Sequence, residues 1–289
     1  MSVTRYVTLA YGSNPAVYRQ SVMMLVSLVA FAPEPYELVV ATDHPDRYVW
    51  FGTRVEIQYL DPSLLRAWQG PEPFSMRQKL MLLQTAWPER GAIVLVDADV
   101  VATTDLSAFV ERLHAGAVFM HRREYTLSRA RRPGHRRVWK TLRRTPLEGH
   151  TSTSADAMWN SGVVGLAAAD RALLDEAIAL YEELGRAGFR LFVTEQLAEG
   201  LVFARSGRLQ AADPWFAHYW GNRPGYDAEI ARRLADVFLD GQSVKDAAAA
   251  YARNGIGLPV EVRATRTQKL RRWLRGRGGP GGVPPRSSD

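Results

Sequence analysis

Chemistry first shows itself in the stretch Ala92-Ile93-Val94-Leu95-Val96-Asp97-Ala98-Asp99-Val100-Val101. Five apolar, largely β-branched residues run without alternation into two carboxylates, the pattern of a strand buried on both faces that ends where the chain meets water. Asp97 and Asp99 therefore stand at a strand's carboxyl end, the edge where open α/β sheets bind ligands. Side chains two apart in an extended chain point the same way, so both carboxylates can face one cation. A divalent ion held by such hard oxygens grips a diphosphate. The bland alternative is an acidic turn capping the next element, and Asp-x-Asp alone does not separate the two.

The surrounding elements read as an α/β sheet built to carry that edge. Val3 to Ala10 is a first strand, and Ser13-Asn14-Pro15 gives a cap and a first-turn proline for a helix from Ala16 to Phe31. Glu37 to Thr42 and Arg54 to Leu60 are further strands, Asp61 to Pro73 a proline-rich loop, and Phe74 to Trp87 a helix closed by Pro88 and Gly91. The first strand and the Asp-x-Asp strand should end side by side. Asp105 to Leu113 reads as a short helix and Ala117 to Met120 as a strand, after which periodicity dissolves from His121 to Ser154. It resumes with a strand at Met158 to Leu166 and helices at Asp170 to Leu184, from Thr194, at Asp227 to Leu239 and at Ser243 to Ala252.

At 289 residues the chain can bury a full core, and without cysteine it uses neither disulfides nor thiolate metal sites. No basic segment followed by an apolar run opens the sequence, and no apolar stretch is long enough to span a bilayer. The expectation is a soluble, cytoplasmic protein. The net charge of +7 is unevenly placed: residues 121–144 carry nine Arg and one Lys against one Glu, and residues 261–289 carry seven Arg and one Lys against two acids. These segments hold +9 and +6, which leaves the body at −8. An acidic body without interleaved aromatic platforms argues against a nucleic-acid binder.

Several stretches agree, in order and approximate spacing, with one family: Val7-Thr8-Leu9-Ala10, Tyr18, Val39-Val40-Ala41-Thr42, Lys79-Leu80, Asp97-Ala98-Asp99, Asn160-Ser161-Gly162-Val163, Glu195-Gln196 and His218-Tyr219-Trp220-Gly221. Over Val3 to Gly225 the chain resembles glycosyltransferases related to glycogenin and to bacterial lipopolysaccharide galactosyltransferases. The resemblance implies a GT-A fold, a single Rossmann-like α/β domain with a mixed central sheet, spanning 1–255. It also implies a nucleotide-sugar donor, usually UDP-linked, a manganese or magnesium ion, and transfer with retention at the anomeric carbon.

Carried over residue by residue, the resemblance makes Asp97, Asp99 and His218 the metal ligands. Ala10 and Tyr18 fall at the nucleotide base, Tyr18 supplying a stacking face, and Leu9 and Tyr11 belong to the donor site. Lys79, Asp97, Ala98, Asp99, Asn160, Ser161, Gly162, Gly221, Asn222 and Arg223 complete the donor site, Gly162 letting backbone come close. Glu195, Gln196 and Asn160 would face the transferring sugar as catalytic residues. Two departures stand out. Glu195 replaces the aspartate more usual there, and no lysine follows His218-Tyr219-Trp220-Gly221, Arg223 standing beside that position instead. Taken singly, each residue also has a plain reading: His218 a structural histidine, Glu195 a first-turn acid, Tyr18 a core aromatic, Lys79 a solvated lysine.

The basic insert, 121–157, lies between the metal strand and the sugar-site strand, so it should border the acceptor. Its guanidinium groups suit an anionic glycan or lipid-linked saccharide, or simply form a solvated surface. In the 256–289 tail, Leu270, Trp273 and Leu274 share one helical face among cations, which suggests peripheral contact with an anionic membrane at its inner face. Residues 276–289, rich in Gly, Pro and Ser, should be disordered. The competing functions are a non-catalytic nucleotide-sugar binder and a sugar nucleotidyltransferase. The latter expects a glycine-rich, basic loop after the first strand, which Ala10-Tyr11-Gly12-Ser13-Asn14-Pro15 is not.

Overall fold

The computed structural model describes residues 2–70, 76–148, 150–189 and 191–257; the expectations for the tail beyond 257 lie outside these. Strand β1 (Thr4–Ala10) turns through Asn14, whose side chain accepts from the Ala16 N–H, into α1 (Pro15–Phe31). There follow β2 (Tyr36–Thr42), β3 (Val55–Tyr59), α2 (Pro62–Gln69), α3 (Arg77–Thr85) and β4 (Ala92–Val96). A second half adds β5 (Val100–Ala102), α4 (Ser107–His114), β6 (Val118–Thr126), α5 (Pro133–Leu142) and β7 (Ala157–Ala167). The last elements are α6 (Arg171–Arg186), α7 (Thr194–Arg205), β8 (Leu209–Ala211), β9 (Phe216–His218), α8 (Arg223–Leu239) and α9 (Val244–Asn254).

Seven strands form one mixed sheet in the order β3-β2-β1-β4-β7-β6-β8, and β5 pairs with β9 in a small second one. β3, β2, β1 and β4 run parallel, β7 runs antiparallel to β4 and β6, and β8 follows β6. Helices cover both faces, which is why β4 is apolar throughout. Its Ala92, Val94 and Val96 pack toward α1, α4, α8 and α9, while Ile93 and Leu95 pack toward α3, α6 and α7. β1 and β4 are parallel neighbours, β1 running two residues beyond β4 at their shared carboxyl edge. No helix of the described residues is long and apolar enough to cross a membrane.

Two expectations are corrected and three short strands are added. The stretch from Asp61 is no loop: Asp61 accepts from the N–H groups of Ser63 and Leu64 and caps α2, with Pro62 in its first turn. Proline after a capping aspartate starts a helix as readily as it marks a loop. The basic insert is also partly ordered. β6 continues to Thr126, but its register shifts between Met120 and Arg122 and again between Arg123 and Tyr125, so the two-residue alternation is broken. α5 turns Val138 and Leu142 inward and is basic outside. Finally β5, β8 and β9, three residues each, are too short to leave a periodic signal.

Candidate metal centre and active site

Three chain segments meet at the carboxyl edge of β4. Asp97 follows the strand directly, its N–H donating to Gly162 O on β7 at 2.9 Å. Asp99 precedes β5, whose Val100 pairs with His218 on β9, and the Tyr219 N–H donates to Asp99 O at 3.2 Å. The small sheet thus ties a histidine more than a hundred residues away to the acidic pair. One oxygen from each carboxylate and a ring nitrogen of His218 all lie within 4.8 Å of one another.

The other side of the His218 ring fixes its tautomer. Asn160 Oδ1 accepts from the Gly162 N–H at 3.0 Å, which identifies that atom as oxygen, and His218 Nδ1 lies 2.9 Å from it. Nδ1 must therefore donate, which leaves Nε2 facing Asp99 Oδ1, 3.2 Å away. A ring nitrogen and a carboxylate oxygen at that distance share a proton or a cation. Ligands at right angles about a small divalent ion stand roughly 3 Å apart, so two carboxylates and an imidazole placed this way could hold a divalent metal ion. Gly162 is also explained here: a Cβ at that position would fall 2.4 Å from His218 Nδ1. Its glycine makes room for the imidazole.

Behind the acidic pair lies a chain of buried charges. Lys79 on α3 donates to Asp97 Oδ2 at 2.7 Å and stands 3.7 Å from Glu195 Oε1, and the Ser161 hydroxyl donates to that same glutamate oxygen at 2.7 Å. Burial works against the Lys79 ammonium, but Asp97 and Glu195 outweigh it and hold the group above the ordinary lysine range. Burial raises Glu195, with Lys79 and Ser161 opposing. One turn further along α7, Glu199 is fully buried and neither oxygen has a hydrogen-bond partner, so its carboxyl is pushed far toward the neutral form. Asp99 goes the other way: burial opposes ionisation, yet His218 and Arg223 hold it well below the usual carboxylate range. The Arg223 Nε donates to Asp99 Oδ2 at 2.6 Å.

Lys79, Asp97, Asp99, Asn160, Ser161, Gly162, Glu195, His218 and Arg223 thus form one connected network. Gly221 and Asn222 line an adjoining open cleft of about 380 Å³ with Arg122, His218 and Trp220. Ala98 is half-buried between the two aspartates, Gln196 half-buried beside Glu195, and Ala10 buried at the end of β1, flanked by half-buried Leu9 and Tyr11. Tyr18 is corrected: it offers no stacking face. Its ring is 2% exposed, one side is covered by the Arg47 guanidinium at 4.1 Å, and its hydroxyl donates to Asp43 Oδ1 at 2.6 Å.

Four neighbours escape the sequence reading. Asp43 ends β2 as Asp97 ends β4, and binds the Gly12 N–H at 3.0 Å; that shared strand-end aspartate is the signal that would find it. Glu124 accepts from Asn160 Nδ2 at 3.2 Å, and His121, its pKa lowered by burial to about 4, sets its ring edge-on to His218. Neither leaves a local signal. Glu199 does, as an acid inside the apolar run Leu197 to Phe203.

The ten cations of residues 121–144 are all exposed, and none forms an ion pair among the described residues. They begin at the site itself, because Arg122 pairs across the sheet with Asn160 and lines the cleft.

No protein-family profile matches the sequence, and no curated protein matches it. In structure the chain is similar to mouse xyloside xylosyltransferase 1 in its apo form, with a TM-score of 0.47 and 14% identity over 72% of this chain and 84% of that one. It is similar to the galactosyltransferase LgtC in complex with donor and acceptor sugar analogs, at TM-score 0.49 and 12% identity over 72% and 73% of the two chains. A third similar structure, the apo bifunctional glycosyltransferase WbbM, gives TM-score 0.48 and 12% identity over 73% of this chain but 38% of that longer one. At such identities the function has to be read from this chain's own residues.

Proposed function

We propose that the chain is a metal-dependent glycosyltransferase of GT-A type that moves a sugar from a nucleoside-diphosphate donor, UDP-linked by resemblance, to an anionic glycan or lipid-linked acceptor, with retention. The observation that carries this reading is the convergence of Asp97, Asp99 and His218, with His218 Nε2 facing a carboxylate oxygen and Lys79 and Arg223 beside them. A divalent ion held by those three residues supplies positive charge to the departing diphosphate.

The protein's own cations add to that charge: Arg223, bound to Asp99 and next in sequence to the cleft residue Asn222, is a forked donor suited to phosphate. In the reaction the bond from the anomeric carbon to the diphosphate oxygen breaks, the electron pair leaves with the diphosphate, and the acceptor hydroxyl forms the new bond while losing its proton. Glu195, raised by burial and steadied by Ser161, is a suitable proton acceptor, as is a donor phosphate oxygen. Double displacement and same-face attack both satisfy this arrangement. The unpaired cations that run from Arg122 along α5 support the anionic acceptor.

In this reading 1–255 is the catalytic domain, 121–157 its acceptor-side insert, and the protein works in the cytoplasm or at an inner membrane face through its basic tail. The test is manganese-dependent release of nucleoside diphosphate from a panel of nucleotide sugars, with Asp99→Asn as the control that should abolish it.

A further inference from the structure

Both carboxylates of the acidic pair already carry a cation, and the two cations are held very differently. Lys79 is 13% exposed and has Asp97, Glu195 and Ser161 around it, so it is fixed. Arg223 is 57% exposed, and its Nε and a terminal nitrogen both bear on Asp99 Oδ2, the oxygen that His218 does not use. Asp99 itself is 4% exposed. A carboxylate so buried cannot lose its partner without another charge replacing it. The guanidinium, by contrast, can swing into water at little cost.

We infer that Arg223 is a removable cap on the metal site: it neutralises Asp99 in the metal-free protein, and gives up Oδ2 when a divalent cation is bound. This inference rests on the proposed metal-binding reading of Asp97, Asp99 and His218. Freed, the arginine remains next to Asn222 at the edge of the cleft lined by His218 and Trp220, where its fork is available to a diphosphate. Arg223 thereby couples the two ligands. The cap lowers apparent metal affinity by the fraction of molecules that hold it, and anything that engages the released guanidinium restores that affinity.

The experiment is a titration of the full chain with Mn2+ alone, followed by the electron paramagnetic resonance of the free ion, for the native protein, Arg223→Gln, Arg223→Lys and Arg122→Gln. Arg223→Gln should bind Mn2+ about tenfold more tightly than the native protein. Arg223→Lys should stay near native, because an ammonium can still cap. Arg122→Gln removes a cleft cation that touches no carboxylate and should shift the affinity by less than about twofold, which separates the cap from general charge repulsion. In equilibrium dialysis with Mn2+ and inorganic pyrophosphate together, the advantage of Arg223→Gln should vanish. Equal Mn2+ affinity of the native protein and Arg223→Gln, or an equal gain in Arg122→Gln, overturns the cap while leaving the metal site standing. Absence of Mn2+ binding by every protein overturns the cap and the metal reading together.

Discussion

His218 and Gly162 occupy space that only one of them can fill: a Cβ at position 162 would lie 2.4 Å from His218 Nδ1 and 3.0 Å from Asn160 Oδ1. The neighbour is a ring pinned by a hydrogen bond, not the free end of a flexible chain, so it cannot yield without leaving the cluster it forms with Asp97 and Asp99.

Gly162→Ala should therefore fold, at a cost of about 1–3 kcal/mol for overpacking, yet lose metal binding. Thermal denaturation should show one cooperative transition, and Mn2+ titration at least a tenfold weaker affinity. Native Mn2+ affinity in the alanine variant would remove the proposed role of His218.

The sequence displays some of this site openly and hides the rest for identifiable reasons. The unbroken apolar run before Asp97 announces a doubly buried strand end, and β1 and β4 do lie side by side in parallel. The pairing of His218 with Asn160 spans 58 positions and joins two strands, so no local pattern announces it. Tyr18 misleads because an aromatic residue on an almost wholly apolar helix gives no sign of which side faces the ligand. The insert misleads because two register shifts in β6 erase the alternation that would mark it as strand.

Lys79 neutralises Asp97 and Glu195 from a position that is 13% exposed. Lys79→Met preserves most of the volume and leaves those carboxylates without their cation. Chemical denaturation at pH 7 should show a loss of about 3–5 kcal/mol, the range for breaking a buried ion pair from one side. A loss below about 1 kcal/mol, as for an exposed pair, would mean that the lysine is not the hub of the cluster.

Glu199 makes the opposite kind of prediction. Its carboxyl is raised well above the ordinary 4.5 by burial and then by Glu195, so the folded protein keeps it protonated where the unfolded chain ionises. Its contribution to stability is complete below pH 4.5 and declines as the pH climbs toward the raised folded value. Glu199→Gln removes that decline. Melting temperatures measured from pH 5 to pH 8 should show the variant gaining on the native protein steadily with pH. Parallel curves would show that Glu199 is already ionised in the fold.

The central claim is that Asp97, Asp99 and His218 hold an ion that a nucleotide sugar needs. Its most direct measurement is nucleoside diphosphate release from a panel of nucleotide sugars, with and without manganese, by the native protein and Asp99→Asn. Slow hydrolysis of one donor is expected, requiring the metal and falling at least about 100-fold in the variant. Binding of no donor, with or without manganese, or release that survives Asp99→Asn unchanged, would contradict it.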